Sequence, residues 1–104
     1  EMTLLEILEE RLRAGCRVCG IAEDDLAGVG VTQAADLRFG DYQSNAAMVL
    51  AKGVQQNPRS LAEALAEAVE VSEIAEVEIA GPGFLNFRIN PATYAGRLGH
   101  LLED

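Results

Sequence analysis

The chain has 104 residues, with 17 acidic against 8 basic side chains for a formal net charge of −9, 49% apolar residues and no Trp. That length supports one small domain with a single core, and the apolar fraction excludes a disordered acidic tail. The charge excludes bulk binding to nucleic acid or anionic membrane, because phosphate contacts come from Lys and Arg; any RNA role has to use a few placed groups. No stretch approaches the roughly 20 apolar residues of a membrane span, and the start Glu1-Met2-Thr3-Leu4-Leu5 lacks the basic region of a signal peptide. Glu1 ahead of Met2 suggests an appended residue or an internal cut. Two cysteines, Cys16 and Cys19, are too few for a disulfide scaffold, which points to the reducing cytosol and a cytoplasmic location.

Thr3-Leu4-Leu5-Glu6 reads as a capping box, and Leu5, Leu8 and Leu12 follow at helical spacing, so a first helix starts here and ends at Gly15 or Gly20. Residues 20–30 carry three glycines and three consecutive acids and read as a surface connection; residues 31–38 are a weak strand candidate. Gly40-Asp41 marks a turn, after which Asp41 or Ser44 caps a second helix running to about Lys52. Asn57-Pro58 starts a third helix, with Leu61, Leu65, Ala68 and Val69 inward and Glu63, Glu67 and Glu70 in water. From Glu76 the period changes to 2: Val77 and Ile79 alternate with Glu76 and Glu78, Gly81-Pro82-Gly83 turns the chain, and Leu85, Phe87 and Ile89 alternate with Phe84, Asn86 and Arg88. This predicts an antiparallel hairpin. Asn90-Pro91 caps a last helix whose apolar face is Tyr94, Leu98, Leu101 and Leu102. The expected fold is α+β, a small antiparallel sheet packed by about four helices.

Catalysis has little to work with. The lone His100 reads as an ordinary helix residue, Ser44, Ser60 and Ser72 have no local base, and no glycine pattern matches a phosphate loop. Cys16-Arg17-Val18-Cys19 lacks the second ligand pair zinc needs, so no metal site is expected and both cysteines read as small helix residues. Glu23-Asp24-Asp25 lacks the ligand spacing of a calcium loop. The last strand says more. With Leu85, Phe87 and Ile89 inward, Phe84, Asn86 and Arg88 share the opposite face: an aromatic plane to stack on an unpaired base, an amide to read its edge, a guanidinium to pair with phosphate. The Gly81-Pro82-Gly83 turn would admit another backbone at close range. The other reading covers both sheet faces and puts Phe84 in the core; spacing alone favours it.

Three segments change that balance. Phe39-Gly40-Asp41-Tyr42-Gln43-Ser44-Asn45, continuing through Ala46-Ala47-Met48-Val49-Leu50-Ala51-Lys52, resembles the FGDY-x-x-N-x-A-M-x-L-A-K signature of arginyl-tRNA synthetase N-terminal domains. Asn57-Pro58-Arg59 resembles that family's N-P-R helix start, and Val77 through Phe87 its V-E-x-A-G-P-G-F-[IL]-N-F hairpin. The three occur in the family's order. The resemblance covers the whole chain, residues 1–104, most closely from Phe39 to Ile89.

The resemblance implies an accessory domain that packs on the tRNA elbow and touches the D-loop of tRNA-Arg through the hairpin corner. Carried over, Phe84 stacks and Asn86 reads a base edge, with the Gly81-Pro82-Gly83 backbone beside them; phosphate pairing by Arg88 is a chemical inference only. For the rest of FGDYQSN a local role is expected, with Asp41 and Ser44 capping, Tyr42 packing and Asn45 satisfying backbone groups; Lys52 and Arg59 read as surface charge. The H-x-G-H and K-M-S-K-S-like catalytic signatures are absent, and Gly99-His100-Leu101 does not supply the first. The resemblance therefore implies a non-catalytic piece of a ligase whose ATP and arginine bind elsewhere, so no cofactor is expected in this chain. Its partners would be tRNA-Arg and the catalytic domain of the same polypeptide, not DNA or a membrane. Rival readings are a free-standing protein- or RNA-binding module of the same fold, and a brace for the catalytic core.

Overall fold

The computed structural model describes residues 2–96. Helix α1 (Leu4–Val18) begins as the capping box requires: Thr3 Oγ1 accepts from the Glu6 N–H, and Glu6 Oε1 accepts from the Thr3 N–H at 2.9 Å. The Thr3 N–H first, and the Thr3 side chain second, favour the ionised carboxylate and hold the Glu6 pKa below its ordinary value. The helix buries Leu4, Leu8, Leu12 and Cys16 and is capped at Cys19, just before Gly20. Residues 20–30 are more than a surface connection. They contain the one-turn helix α2 (Glu23–Leu26) and bury Leu26 and Val29. Glu9 Oε2 accepts from the Val31 N–H at 3.0 Å and Arg13 donates to the Val29 carbonyl at 3.3 Å, so polar groups of α1 fasten the segment that enters the sheet.

The sheet has four strands in the order β1–β2–β4–β3, all antiparallel: β1 (Thr32–Gln33), β2 (Tyr42–Ser44), β3 (Ala75–Ala80) and β4 (Phe84–Ile89). Two expectations need correction. The strand expected over 31–38 is two residues long and gives way to a 3₁₀ turn (Leu37–Phe39). The helix expected from Asp41 or Ser44 begins later, because residues 42–44 pair with β4; helix α3 spans Ala46–Leu50, stopping short of Lys52. Ser44 does serve that helix, accepting from the Ala46 N–H at 3.1 Å while donating to the Gly30 carbonyl at 2.7 Å. Asp41 instead extends the sheet: its N–H donates to the Phe87 carbonyl and its Oδ2 accepts from the Ile89 N–H, both at 2.8 Å.

Helix α4 (Pro58–Ala68) starts as expected, with Asn57 Oδ1 accepting from the Arg59 and Ser60 N–H groups. Leu61, Leu65 and Val69 are buried and Glu63, Glu67 and Glu70 exposed. One face of the sheet, through Leu85, Phe87 and Ile89 of β4, closes on α3 and α4, and α1 packs on α4 to complete the core. Residues 91–96 begin a further helix, where Tyr94 is exposed beside Asp41. Burial first, then the neighbouring Asp41 carboxylate, raise the Tyr94 pKa. Leu98, His100, Leu101 and Leu102 lie outside the described residues.

Candidate functional site

The two cysteines lie at the C-terminal end of α1, Cys16 buried and Cys19 half-buried. Both are free thiols; burial, helped by neighbouring Cys19, pushes Cys16 up to about 11, and burial raises Cys19 as well. A nucleophile or metal ligand needs the thiolate, which these surroundings disfavour. Among the described residues no group of three or more His, Cys, Asp or Glu is placed to hold a metal ion.

The hairpin alternation holds: Leu85, Phe87 and Ile89 are core, and Phe84, Asn86 and Arg88 lie on the other face. Register extends that face across the sheet. Gln43 of β2 pairs with Asn86, Thr32 of β1 with Gln43, and Glu78 of β3 with Asn86 from the opposite side, giving the polar row Thr32–Gln43–Asn86–Glu78. Arg88 stands opposite Glu76, and Phe84 opposite Ala80.

The three expected contact residues differ in access. Phe84 is half-buried and belongs to two adjoining clefts. One, of about 320 Å³, is lined by Phe39, Gln43, Ala80, Gly81, Pro82 and Phe84. The other, of about 220 Å³, is lined by Gly28, Gly30, Thr32, Gln43, Asn45 and Phe84. Arg88 is exposed, and one guanidinium nitrogen donates to the Arg38 carbonyl at 3.2 Å, tying it to the 3₁₀ turn. Asn86 is not open as the alternation suggested. It is only 5% exposed, because Gln43 lies against it and donates from Nε2 to Asn86 Oδ1 at 2.9 Å.

The turn divides similarly. Gly81 and Pro82 are exposed, and Arg59 donates to the Gly81 carbonyl at 2.7 Å, so Arg59 is more than free surface charge. Gly83 is buried: a Cβ there would lie 3.0 Å from the Pro58 carbonyl oxygen. The backbone it admits at close range is the chain's own, at the start of α4. Gly83 thus shapes the corner that Gly81 and Pro82 expose.

Sequence reasoning missed Gln43, Phe39 and Asn45. Gln43 lines both clefts and reaches Asn86, 43 residues on. Phe39 is 46% exposed and walls the larger cleft, with the Arg38 guanidinium 5.7 Å from its ring centre. Asn45 makes no side-chain capping bond to α3; it is exposed and lines the smaller cleft. A signal was present in the alternation of Tyr42-Gln43-Ser44, readable only if residues 42–44 are taken as a strand.

Comparison with known proteins gives a consistent answer. The family model described as "Arginyl tRNA synthetase N terminal domain" matches residues 3–89. The arginine–tRNA ligase of Pseudoalteromonas atlantica is 40% identical over 104 residues, covering 99% of this chain and 18% of that protein. The ligase of Bradyrhizobium sp. is 46% identical over 81 residues, 77% of this chain and 14% of that protein. The chain therefore spans less than a fifth of the length of these relatives. Among solved structures, arginyl-tRNA synthetase from Plasmodium falciparum shares the fold with a TM-score of 0.76 at 20% identity, over 91% of this chain and 17% of that one. The Thermus thermophilus enzyme gives 0.70 at 27% identity, over 91% and 15%. With the family model covering nearly all of the α+β unit, and the same segments building the sheet and its exposed corner, the chain belongs to the arginyl-tRNA synthetase N-terminal domain family.

Proposed function

We propose that this chain is the tRNA-contacting N-terminal domain of a cytoplasmic arginine–tRNA ligase, whose catalytic domain elsewhere in the polypeptide uses ATP to charge tRNA-Arg with arginine. The outer face of the hairpin meets the D-loop at the tRNA elbow. The observation that carries this reading is Phe84, an aromatic set between two clefts beside a hydrogen-bonded amide pair, an arrangement suited to an unstacked base. In this reading Phe84 stacks, Asn86 bonds a base edge, Gly81 and Pro82 lie along the sugar–phosphate chain with Gly83 shaping the turn, and Arg88 pairs with a phosphate. Glu76 and Glu78 flank the face on β3 and oppose phosphate there, so the domain adds a few contacts to affinity generated elsewhere. It holds no cofactor and catalyses nothing by itself.

The test is aminoacylation by the full-length ligase. Phe84→Ala should raise KM for tRNA about 5- to 150-fold, the equivalent of about 1–3 kcal/mol of stacking, with KM for ATP and arginine within twofold of wild type. Asn86→Ala should act in the same direction. Unchanged tRNA kinetics in both variants would refute the assignment. A loss of ATP and arginine kinetics as well would favour a bracing role, and protein capture at the apolar cleft without any tRNA effect a docking module.

A further inference from the structure

A carboxamide has two ends, and which end faces the ligand decides what it can recognise. Gln43 Nε2 donates to Asn86 Oδ1 at 2.9 Å, so the carbonyl end of Asn86 faces Gln43 and one of its two acceptor sites is taken. Among the described residues Asn86 Nδ2 donates to no protein acceptor, and no buried side-chain nitrogen or oxygen is left unpaired. The NH₂ group of Asn86 is therefore not sealed from solvent. A second observation favours the same orientation. Glu78 stands directly across from Asn86 on the same sheet face, and a carboxylate draws the NH₂ end of an amide toward it and the carbonyl end away.

Resting on the tRNA-contact reading above, we infer that Gln43 is a positioning residue: by occupying Asn86 Oδ1 it makes Asn86 present a hydrogen-bond donor to the RNA. The group it selects is an acceptor on a base edge, a ring nitrogen or an exocyclic carbonyl oxygen. Gln43 is suited to this because the β2–β4 register places it opposite Asn86, while Gln43 itself lines both clefts.

The experiment uses the full-length ligase and charging kinetics with tRNA. Gln43→Met removes the donor without adding charge and should raise KM for tRNA at least threefold, with kcat within twofold of wild type. In an Asn86→Ala background the same change should have less than a twofold effect, since Gln43 acts through Asn86. Gln43→Glu tests polarity and keeps the fold's hydrogen bond. A carboxylate only accepts, so Asn86 must turn its NH₂ inward and show Oδ1, and KM should rise at least as far as in Asn86→Ala. The inference is overturned if Gln43→Glu leaves KM within twofold of wild type. It is overturned equally if Gln43→Met keeps its full effect in the Asn86→Ala background, which would mean that Gln43 touches the RNA itself. If Asn86→Ala and Phe84→Ala both leave KM unchanged, the tRNA-contact reading fails instead, and those two variants separate the failures.

Discussion

Gly40 offers a sharp test of how the exposed face is held. Its φ of 106° and ψ of −166° lie in a region essentially reserved for glycine, where another residue costs about 1–3 kcal/mol. A Cβ there would also lie 2.8 Å from the Phe87 carbonyl oxygen. That oxygen cannot simply withdraw, because it accepts from the Asp41 N–H at 2.8 Å, and Asp41 Oδ2 holds the next rung at the Ile89 N–H. Relieving the clash means giving up at least one of these bonds, about 1–2 kcal/mol more. Gly40→Ala should therefore cost about 2–5 kcal/mol, a large part of a small domain's total stability of about 5–15 kcal/mol. Gly20 is the control: φ is 85°, but nothing lies within 4 Å of an added Cβ, so Gly20→Ala should cost only about 1 kcal/mol. Urea titration of both variants reads the difference, which should be about 1 kcal/mol or more. A gap under 1 kcal/mol would refute the close-approach argument and leave only backbone strain.

Ser44→Ala should cost about 2–3 kcal/mol in the same titration, since it orphans the Gly30 carbonyl and the Ala46 N–H beneath a side chain that is 2% exposed; a cost below 0.5 kcal/mol would show that water replaces the hydroxyl. Asn57→Ala should cost about 1 kcal/mol, through the two N–H groups its side chain caps. Stability should also fall at alkaline pH. Cys16 sits at about 11 in the folded protein against 9.0 ordinarily, so its contribution is complete below pH 9 and is lost as pH rises toward 11, by up to about 3 kcal/mol. Cys16→Ala should flatten that decline, and identical pH slopes for wild type and variant would refute the assignment.

What the sequence disclosed was local. The capping box at Thr3, the Asn57-Pro58 start and the alternation of β3 and β4 each depend on neighbours within about four residues, and each appears in the structure. What it concealed was set by distant partners. Residues 42–44 are too short a run to announce a strand; they become one because β4, more than 40 residues on, offers its edge. Asp41 looks like a helix cap and works as a rung of the sheet because its carboxylate meets the Ile89 N–H. The strand over 31–38 fails for the converse reason: β2 offers partners only to Thr32 and Gln33 before the 3₁₀ turn diverges.

The candidate site follows the same division, and the Phe39–Asn45 segment shows why a motif need not have one meaning. Gly40 fits against the Phe87 carbonyl, Asp41 joins the sheet, Tyr42 packs on the core and Ser44 supports α3, so these four hold the structure together. Phe39, Gln43 and Asn45 open on the clefts around Phe84. The period of 2 in β2 separates Gln43 from Tyr42 and Ser44 across the sheet, so one short strand serves both the core and the exposed face. Reading Asn86 needs the partner strand too: the alternation of β4 gives the correct face, but only β2 brings the glutamine that covers the amide and fixes its direction. A substitution in this segment should therefore divide by face. Changes at Gly40 or Ser44 should lower stability without a separate effect on tRNA, whereas Gln43→Met should raise KM for tRNA beyond what its own loss of stability explains, about 1–3 kcal/mol from the Asn86 carbonyl oxygen left without its partner. A variant of Gln43 whose tRNA defect tracked its loss of stability would place Gln43 with the structural residues and remove it from the site.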